Sequence, residues 1–362
     1  METLLIRPQD IAEAIKLVGI DTLMDKTIAG LTAAFKEVNL GQGELRTRAG
    51  FVKKPSCACV EWMPYMRKTD QSVTVKVVAY QPDNIQTIGI PTVLATTSLY
   101  DFNNGHLVAL CDAVTLTAIR TGAASAIASK ILANPDSATV GLVGAGAQAV
   151  TQLHGLSRVF PLQQVLVYDI NPDIARSFSS RVAFLGLSIR SCSLDELERN
   201  ADIICTATSV DEGADPVITG ENLKPHVHIN AVGADIIGKT ELPLSLLKRC
   251  FVCPDFPEQA LLEGECQQLQ PEEVGSSLME MIERPEEFYH WREQQTVFDS
   301  TGLAIEDHVA LSIMQELVKA HGLGERVQLE YYPNDPYNPY EFMTSSLQHR
   351  PAARQEALTT VS

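Results

Sequence analysis

A chain of 362 residues, 45% hydrophobic and 20% charged, has an ordinary globular composition and is long enough for two cores. Its net charge of −17 argues against nucleic acid or an anionic membrane as partner, because both need clustered Lys and Arg. Met1 to Asp10 has no apolar signal core, no run approaches ~18 apolar residues, and eight cysteines at this length make no disulfide scaffold; a reduced, cytoplasmic protein is expected.

Arg7 to Asn39 reads as helical: Ile11, Ile15 and Val18 recur at helical spacing, as do Ile28, Leu31, Phe35 and Val38. Gly41-Gln42-Gly43 breaks that pattern. Cys57 to Pro64 then predicts a strand ending at its proline. Ser72 to Tyr80, Thr92 to Leu99 and His106 to Cys111 predict three more, the last two joined by Asn103-Asn104-Gly105. Val114 to Leu132 predicts a helix of small residues, ended by Asn134-Pro135-Asp136. Cys250-x-x-Cys253 has no second pair at ligand spacing, so no metal site is expected.

Ala138 to Ala149 reads A-T-V-G-L-V-G-A-G-A-Q-A. A short apolar run, Val140 to Val143, leads into Gly144-Ala145-Gly146-Ala147-Gln148-Ala149, and Val150 to Val159 continues as a helix. This order is the dinucleotide-binding fingerprint, with Ala149 in the third small position. Gly144 permits the tight turn, Gly146 lets backbone approach a pyrophosphate, and Ala149 lets the helix lie close on the strand. Free N–H groups at the helix start face the phosphates. The next apolar run, Val165 to Tyr168, is closed by Asp169, twenty residues beyond Ala149. An acid there hydrogen-bonds the ribose hydroxyls and repels a 2′-phosphate, which favours NAD; Arg176 nearby leaves NADP open.

Strands at 140–143, 165–169, 187–190, 202–206, 226–232 and 250–253 alternate with helices, which predicts a doubly wound parallel sheet. Val297-Phe298 is a last strand, and Thr301 to Ala320 a final helix expected to return to the first section. The fold class is α/β: a Rossmann domain over 134–302 and a discontinuous α+β substrate-binding and dimerisation domain over 1–133 with 303–330. The Tyr- and Pro-rich remainder, 331–362, is expected to be an extended or disordered tail.

Three residues outside the fingerprint invite chemistry. Lys76 stands alone in Val73-Thr74-Val75-Lys76-Val77-Val78, Arg120 in a small-residue helix, and Asp235 in the loop after the 226–232 strand. A solvent-facing edge, a helix surface and a turn would account for them singly. Together they supply cations for a carboxylate and a proton-exchanging acid beside a hydride acceptor, the needs of amino-acid dehydrogenase chemistry.

At these residues the sequence resembles the ornithine cyclodeaminase/μ-crystallin family, from about Gly43 to Leu323. The matching motifs are Val60-Glu61-Trp62-Met63-Pro64, Lys76 to Asn84, Thr117 to Ala123, Val143 to Gln148, Ala231 to Asp235 with Gly238 to Leu242, and Val297 to Asp307. The last two resemble ornithine cyclodeaminase in particular. The resemblance implies a homodimer with NAD(H) in the Rossmann domain. It implies that Lys76, Arg120 and Arg46, with Arg48 as its rival, hold a substrate carboxylate. Thr92 would line the pocket, Glu61 would attract a distal ammonium, and Asp235 would be the acid/base, with Lys76 also in the catalytic set. Thr121, Gly144, Ala145, Gly146, Ala147, Gln148, Asp169, Thr206, Thr208, Val232 and Ser300 would line the cofactor. The implied reaction converts L-ornithine to L-proline and ammonia. Imine or ketimine reduction, another NAD(P)-dependent amino-acid dehydrogenase activity, and non-catalytic NAD(P)H binding are the alternatives on the same scaffold.

Overall fold

The structure is a computed structural model and describes residues 1–54 and 56–343. The first section runs β1 (Thr3–Ile6), α1 (Pro8–Val18), α2 (Ile20–Asn39), β2 (Gly43–Leu45), β3 (Ala49–Lys53), β4 (Ala58–Arg67), β5 (Ser72–Tyr80), α3 (Asn84–Ile88), β6 (Val93–Asp101), β7 (Leu107–Asp112) and α4 (Val114–Leu132). The second runs β8 (Thr139–Val143), α5 (Ala147–Ser157), β9 (Gln164–Tyr168), α6 (Pro172–Arg181), β10 (Ser188–Ser191), α7 (Leu194–Asn200), β11 (Ile203–Thr206), β12 (His228–Ala231), α8 (Leu244–Leu247), β13 (Phe251–Pro254), α9 (Pro257–Glu263), α10 (Leu278–Glu283) and β14 (Thr296–Asp299). Then come α11 (Ala304–Ala320) and β15 (Glu325–Val327).

Two sheets result. One is mixed, in the order β15-β1-β7-β6-β5-β4-β2, with β3 also paired to β4. The other is all parallel, in the order β10-β9-β8-β11-β12-β14-β13. Its central strands are buried along their length, as a sheet covered on both faces requires. Chain order reverses between β8 and β11, which opens a crevice at the carboxyl ends of those strands.

The antiparallel strands β3 to β6 show two unlike faces. Phe51, Val60, Trp62, Val77 and Leu94 share one face by register and stay exposed. The other face carries Met63, 2% exposed, and Lys76, 1% exposed. Lys76 therefore points inward, not to water at an edge. Helix α11 packs on that side, against α2, α4, β4 and β5. Helix α4 joins the two halves: its Gly122 faces Gly155 of α5 so closely that a Cβ on either would meet the other helix's backbone within 2.3 Å.

Two expectations change. The β4 strand does not end at Pro64 but continues to Arg67. Pro64 pairs with Val75 on one side, and on the other it lies opposite the break between β2 and β3, where no partner asks for its missing N–H. Strand β1 was not anticipated; four residues, Thr3 to Ile6, gain their identity from pairing with β7 and β15. In the expected tail, Tyr332 donates to Glu330, which also accepts from the Leu107 N–H at 3.0 Å. The part of the tail beyond residue 343 lies outside the described residues.

Candidate active site

The glycine turn is built as its residues dictate. Gly144 has φ 87, and a Cβ there would sit 2.7 Å from the Ala207 carbonyl. Gly146 caps α5, with no side chain bonded to the helix start and nothing within 4 Å of where its Cβ would stand. Open space above unpaired helix N–H groups fits a pyrophosphate. Asp169 accepts from the Ala145 N–H and from the Asn171 N–H, both at 2.8 Å, so it braces the turn as well as closing β9. Arg176 pairs with Asp173 of its own helix and is two-thirds exposed. At the far side of the crevice, Ser300 and Val232 follow β14 and β12 and are buried. The Ser300 hydroxyl has no partner among the described residues, as a group awaiting a bound cofactor would. Thr121 instead bonds the Thr117 carbonyl of its own helix at 2.9 Å.

A second candidate region is a cluster of buried charges. Lys76 Nζ lies 3.0 Å from Asp307 Oδ1, and Arg120 Nη1 lies 2.6 Å from Glu306 Oε2. Arg120 Nε is also 3.4 Å from Asp307. Gly302, at φ 85, makes room for this guanidinium, because a Cβ there would meet Nη1 at 2.5 Å. The third cation is Arg48. Its side chain is 7% exposed, 3.3 Å from Glu61 and 2.8 Å from Glu263, and it donates to the Thr301 and Gly302 carbonyls. Gln259 holds the same corner, accepting from the Arg48 N–H at 3.2 Å and donating to Thr301 Oγ1 at 2.7 Å.

The structure places the two candidate arginines differently. Arg46 is 71% exposed and pairs with Glu44 at the surface. Residues 46–48 lie between β2 and β3, outside any strand, so alternation does not carry Arg46 and Arg48 to the same face. Thr92 lies toward the Tyr80 end of β5, where its carbonyl accepts from the Gln81 N–H at 2.8 Å. Lys76 is paired with Thr97, and Thr92 precedes β6 five residues away, about 16 Å along a strand. Glu61 does join the cluster through Arg48.

Burial sets the cluster's proton affinities. It pulls Lys76 down to about 8, helped by Arg120 and opposed by Asp307. Glu263 is pushed up to about 7 by burial, against Arg48, with Glu61, Asp235 and Asp255 adding to the rise. Glu306 is likewise pushed up to about 7 by burial, against Arg120. Burial thus favours the neutral form of both acids and weakens their hold on Arg48 and Arg120.

Asp235 follows β12 in a loop that crosses to the mixed sheet: Ile236 packs on Cys57, Cys59 and Tyr80. Its side chain is 39% exposed and lies 3.3 Å from Lys239 Nζ, which sits over the Tyr80 ring at 5.1 Å. The Asp235 charge raises the proton affinity of Arg48 and of Glu263. Thr206 and Thr208 border the crevice, with both hydroxyls turned onto Glu241.

Sequence reasoning named no role for Glu263, Glu306, Asp307 or Glu241. Adjacent acids between Ala304-Ile305 and Val309 were a readable sign of buried charge. Glu263 carried no local sign at all.

The family model described as the ornithine cyclodeaminase/mu-crystallin family matches residues 9–322. An L-lysine cyclodeaminase of Streptomyces rapamycinicus is 42% identical over 94% of this chain and 99% of its own length. An ornithine cyclodeaminase of Agrobacterium fabrum is 35% identical over 72% and 73%. Among solved structures, a lysine cyclodeaminase studied for recognition of L-lysine, L-ornithine and L-2,4-diaminobutyric acid superposes with a TM-score of 0.92 at 46% identity, covering 94% of this chain and 99% of that one. A Thermococcus litoralis Δ1-pyrroline-2-carboxylate reductase in complex with NADH and L-proline gives 0.82 at 30% identity, covering 90% and 100%. With a fingerprint crevice shaped for a dinucleotide and likeness along nearly its whole length, the chain belongs to the ornithine cyclodeaminase/mu-crystallin family and is an NAD-dependent enzyme.

Proposed function

We propose that this enzyme is a cyclodeaminase of L-α,ω-diamino acids, taking L-lysine to its six-membered cyclic imino acid and L-ornithine to L-proline, with release of ammonia. Sequence motifs favoured L-ornithine; greater identity to the L-lysine enzyme than to the ornithine enzyme supports testing L-lysine first. The observation that carries the reading is the convergence of Arg48, Lys76 and Arg120 beside a half-buried Asp235.

The glycine turn at Gly144 to Gly146 and Ser300 would hold a nicotinamide dinucleotide, which would supply reversible hydride-transfer chemistry. Arg48, Lys76 and Arg120 hold the α-carboxylate and fix which face of Cα is presented. After Cα is oxidised to an imine, Asp235 removes a proton from the terminal ammonium. The freed amine closes on Cα, ammonia leaves, and the ring imine is reduced. Holding the chain end over Cα contributes up to ~7–11 kcal/mol in well-oriented cases. Glu61 and Glu263 are carboxylates on the Arg48 side that attract the distal ammonium. The exposed apolar face of β3 to β6 supports a homodimer formed through the mixed sheet, which size-exclusion chromatography with light scattering tests.

The decisive assay supplies each diamino acid with a catalytic amount of NAD and measures ring product and ammonia. Multiple turnovers per NAD are expected. Stoichiometric NADH accumulation without ring product rejects the reading. The reductase likeness favours a second reading, cyclic-imine reduction, in which NADH is consumed one for one with a cyclic imine and no diamino acid turns over.

A further inference from the structure

Glu241 lies in none of the roles above, yet its carboxylate is fully buried and accepts four hydrogen bonds from two loops. Oε2 takes Thr206 Oγ1 at 2.6 Å and the Gly233 N–H at 2.9 Å. Oε1 takes the Thr208 N–H at 2.7 Å and its hydroxyl at 2.6 Å. Thr206 and Thr208 leave β11, whereas Gly233 leaves β12 two residues before Asp235. Gly233 is shaped for this contact, since a Cβ there would fall 2.4 Å from Glu241 Oε1. Glu241 is itself held from behind. Its N–H donates to Glu265 Oε1 at 2.6 Å, and the Glu265 N–H donates to Asp299 Oδ1 at 2.9 Å, one residue before Ser300.

We propose that Glu241 is a positioning residue: its carboxylate clamps the loop after β11 to the loop after β12, and so sets the crevice wall and the place of Asp235 above it. The kinetic part rests on the cyclodeaminase reading; the binding part does not. A carboxylate is required and an amide does not replace it. Each oxygen already receives a backbone N–H, so either orientation of glutamine turns its NH2 toward a donor that cannot rotate away.

The test compares the parent with Glu241→Gln, Thr206→Val and Gly233→Ala. NADH affinity is read by nucleotide fluorescence, backbone hydrogen exchange by mass spectrometry, and kcat and KM with L-lysine and L-ornithine. Glu241→Gln is expected to weaken NADH binding about tenfold or more and to lower kcat more than it raises amino-acid KM, because the carboxylate binders sit on other elements. Exchange should accelerate at 206–208 and 233–240 and stay parental in β8 and α4. Thr206→Val removes one of four donors and should shift each quantity the same way by less. Parental NADH affinity and exchange in Glu241→Gln, or exchange accelerated uniformly along the chain, would overturn the proposal. Should Glu241→Gln not fold, parental NADH affinity in Gly233→Ala overturns it instead. If the parent turns over neither diamino acid, the cyclodeaminase reading fails while the binding and exchange results still decide Glu241.

Discussion

The cofactor edge draws Gly144, Ala145, Gly146 and Asp169 from one short stretch of chain and holds them with backbone contacts. The cation cluster draws Arg48 from a loop, Lys76 from β5, Arg120 from α4, Glu263 from α9 and the acids Glu306 and Asp307 from α11, and holds them with ion pairs. The first needs only two adjacent strands, a turn and a helix to exist. The second forms only once both sheets and α11 are in place. One is therefore sensitive to backbone conformation and space, the other to charge balance in a dry interior.

Asp235→Asn separates the two regions most sharply. The amide keeps shape and cannot take a proton, so ring formation should fall by ~10²–10⁴-fold while NADH affinity stays parental. Product output equal to the parent's would remove Asp235 from proton transfer. Next in size is Arg48→Ala set against Arg46→Ala. Removing Arg48 leaves Glu61 and Glu263 facing each other without their cation and should cost ~3–5 kcal/mol of stability along with most turnover. Removing the exposed Arg46 should stay within ~0.5 kcal/mol of the parent. Urea unfolding of both variants decides between the two arginines, and equal losses would defeat the assignment of Arg48.

Glycine replacements probe the cofactor edge in the same manner. Gly144→Ala forces a Cβ into the left-handed region and against the Ala207 carbonyl, so ~1–3 kcal/mol of stability should go with cofactor binding. Gly146 has φ −76 and free space around it, so Gly146→Ala should leave stability parental and weaken NADH alone, by about tenfold. Loss of stability in both variants would mean that the open space over Gly146 belongs to the fold and not to the ligand.

That contrast also explains what could be read in advance. The glycine turn, Asp169 and the alternating strands announce themselves in adjacent residues, and the parallel sheet follows from them. Lys76 and Arg120 were visible as lone charges in apolar surroundings, but their partners lie 231 and 186 residues away, where no periodicity points. Arg46 and Arg48 are two residues apart, and only the break between β2 and β3 turns one outward and one inward. Pro64 misled for the same reason, since a strand tolerates proline where its neighbour is interrupted. Strand β1 has its partners near residues 110 and 326, so its four residues carried no sign of a sheet.

A pH dependence of stability carried by Lys76 is also expected. Burial lowers its proton affinity from the usual 10.5 to about 8 in the folded chain. Below about pH 8 both folded and unfolded chains hold the proton, and the buried charge costs the fold its full penalty. Between about pH 8 and 10.5 the unfolded chain holds the proton and the folded chain sheds it. The unfolded state then binds more protons, so stability rises with pH across that window and levels off above it. Glu263 and Glu306 act in a separate window: their affinities rise from 4.5 to about 7, so stability falls as pH climbs between those values. The check is urea unfolding of the parent and Lys76→Met at pH 8 and pH 10. The parent should gain stability over that interval relative to Lys76→Met, which lacks the titrating group and leaves Asp307 to Arg120 alone at both values. An equal response in the two chains would show that the Lys76 ammonium keeps its proton through pH 10, held by Asp307 more strongly than its burial opposes.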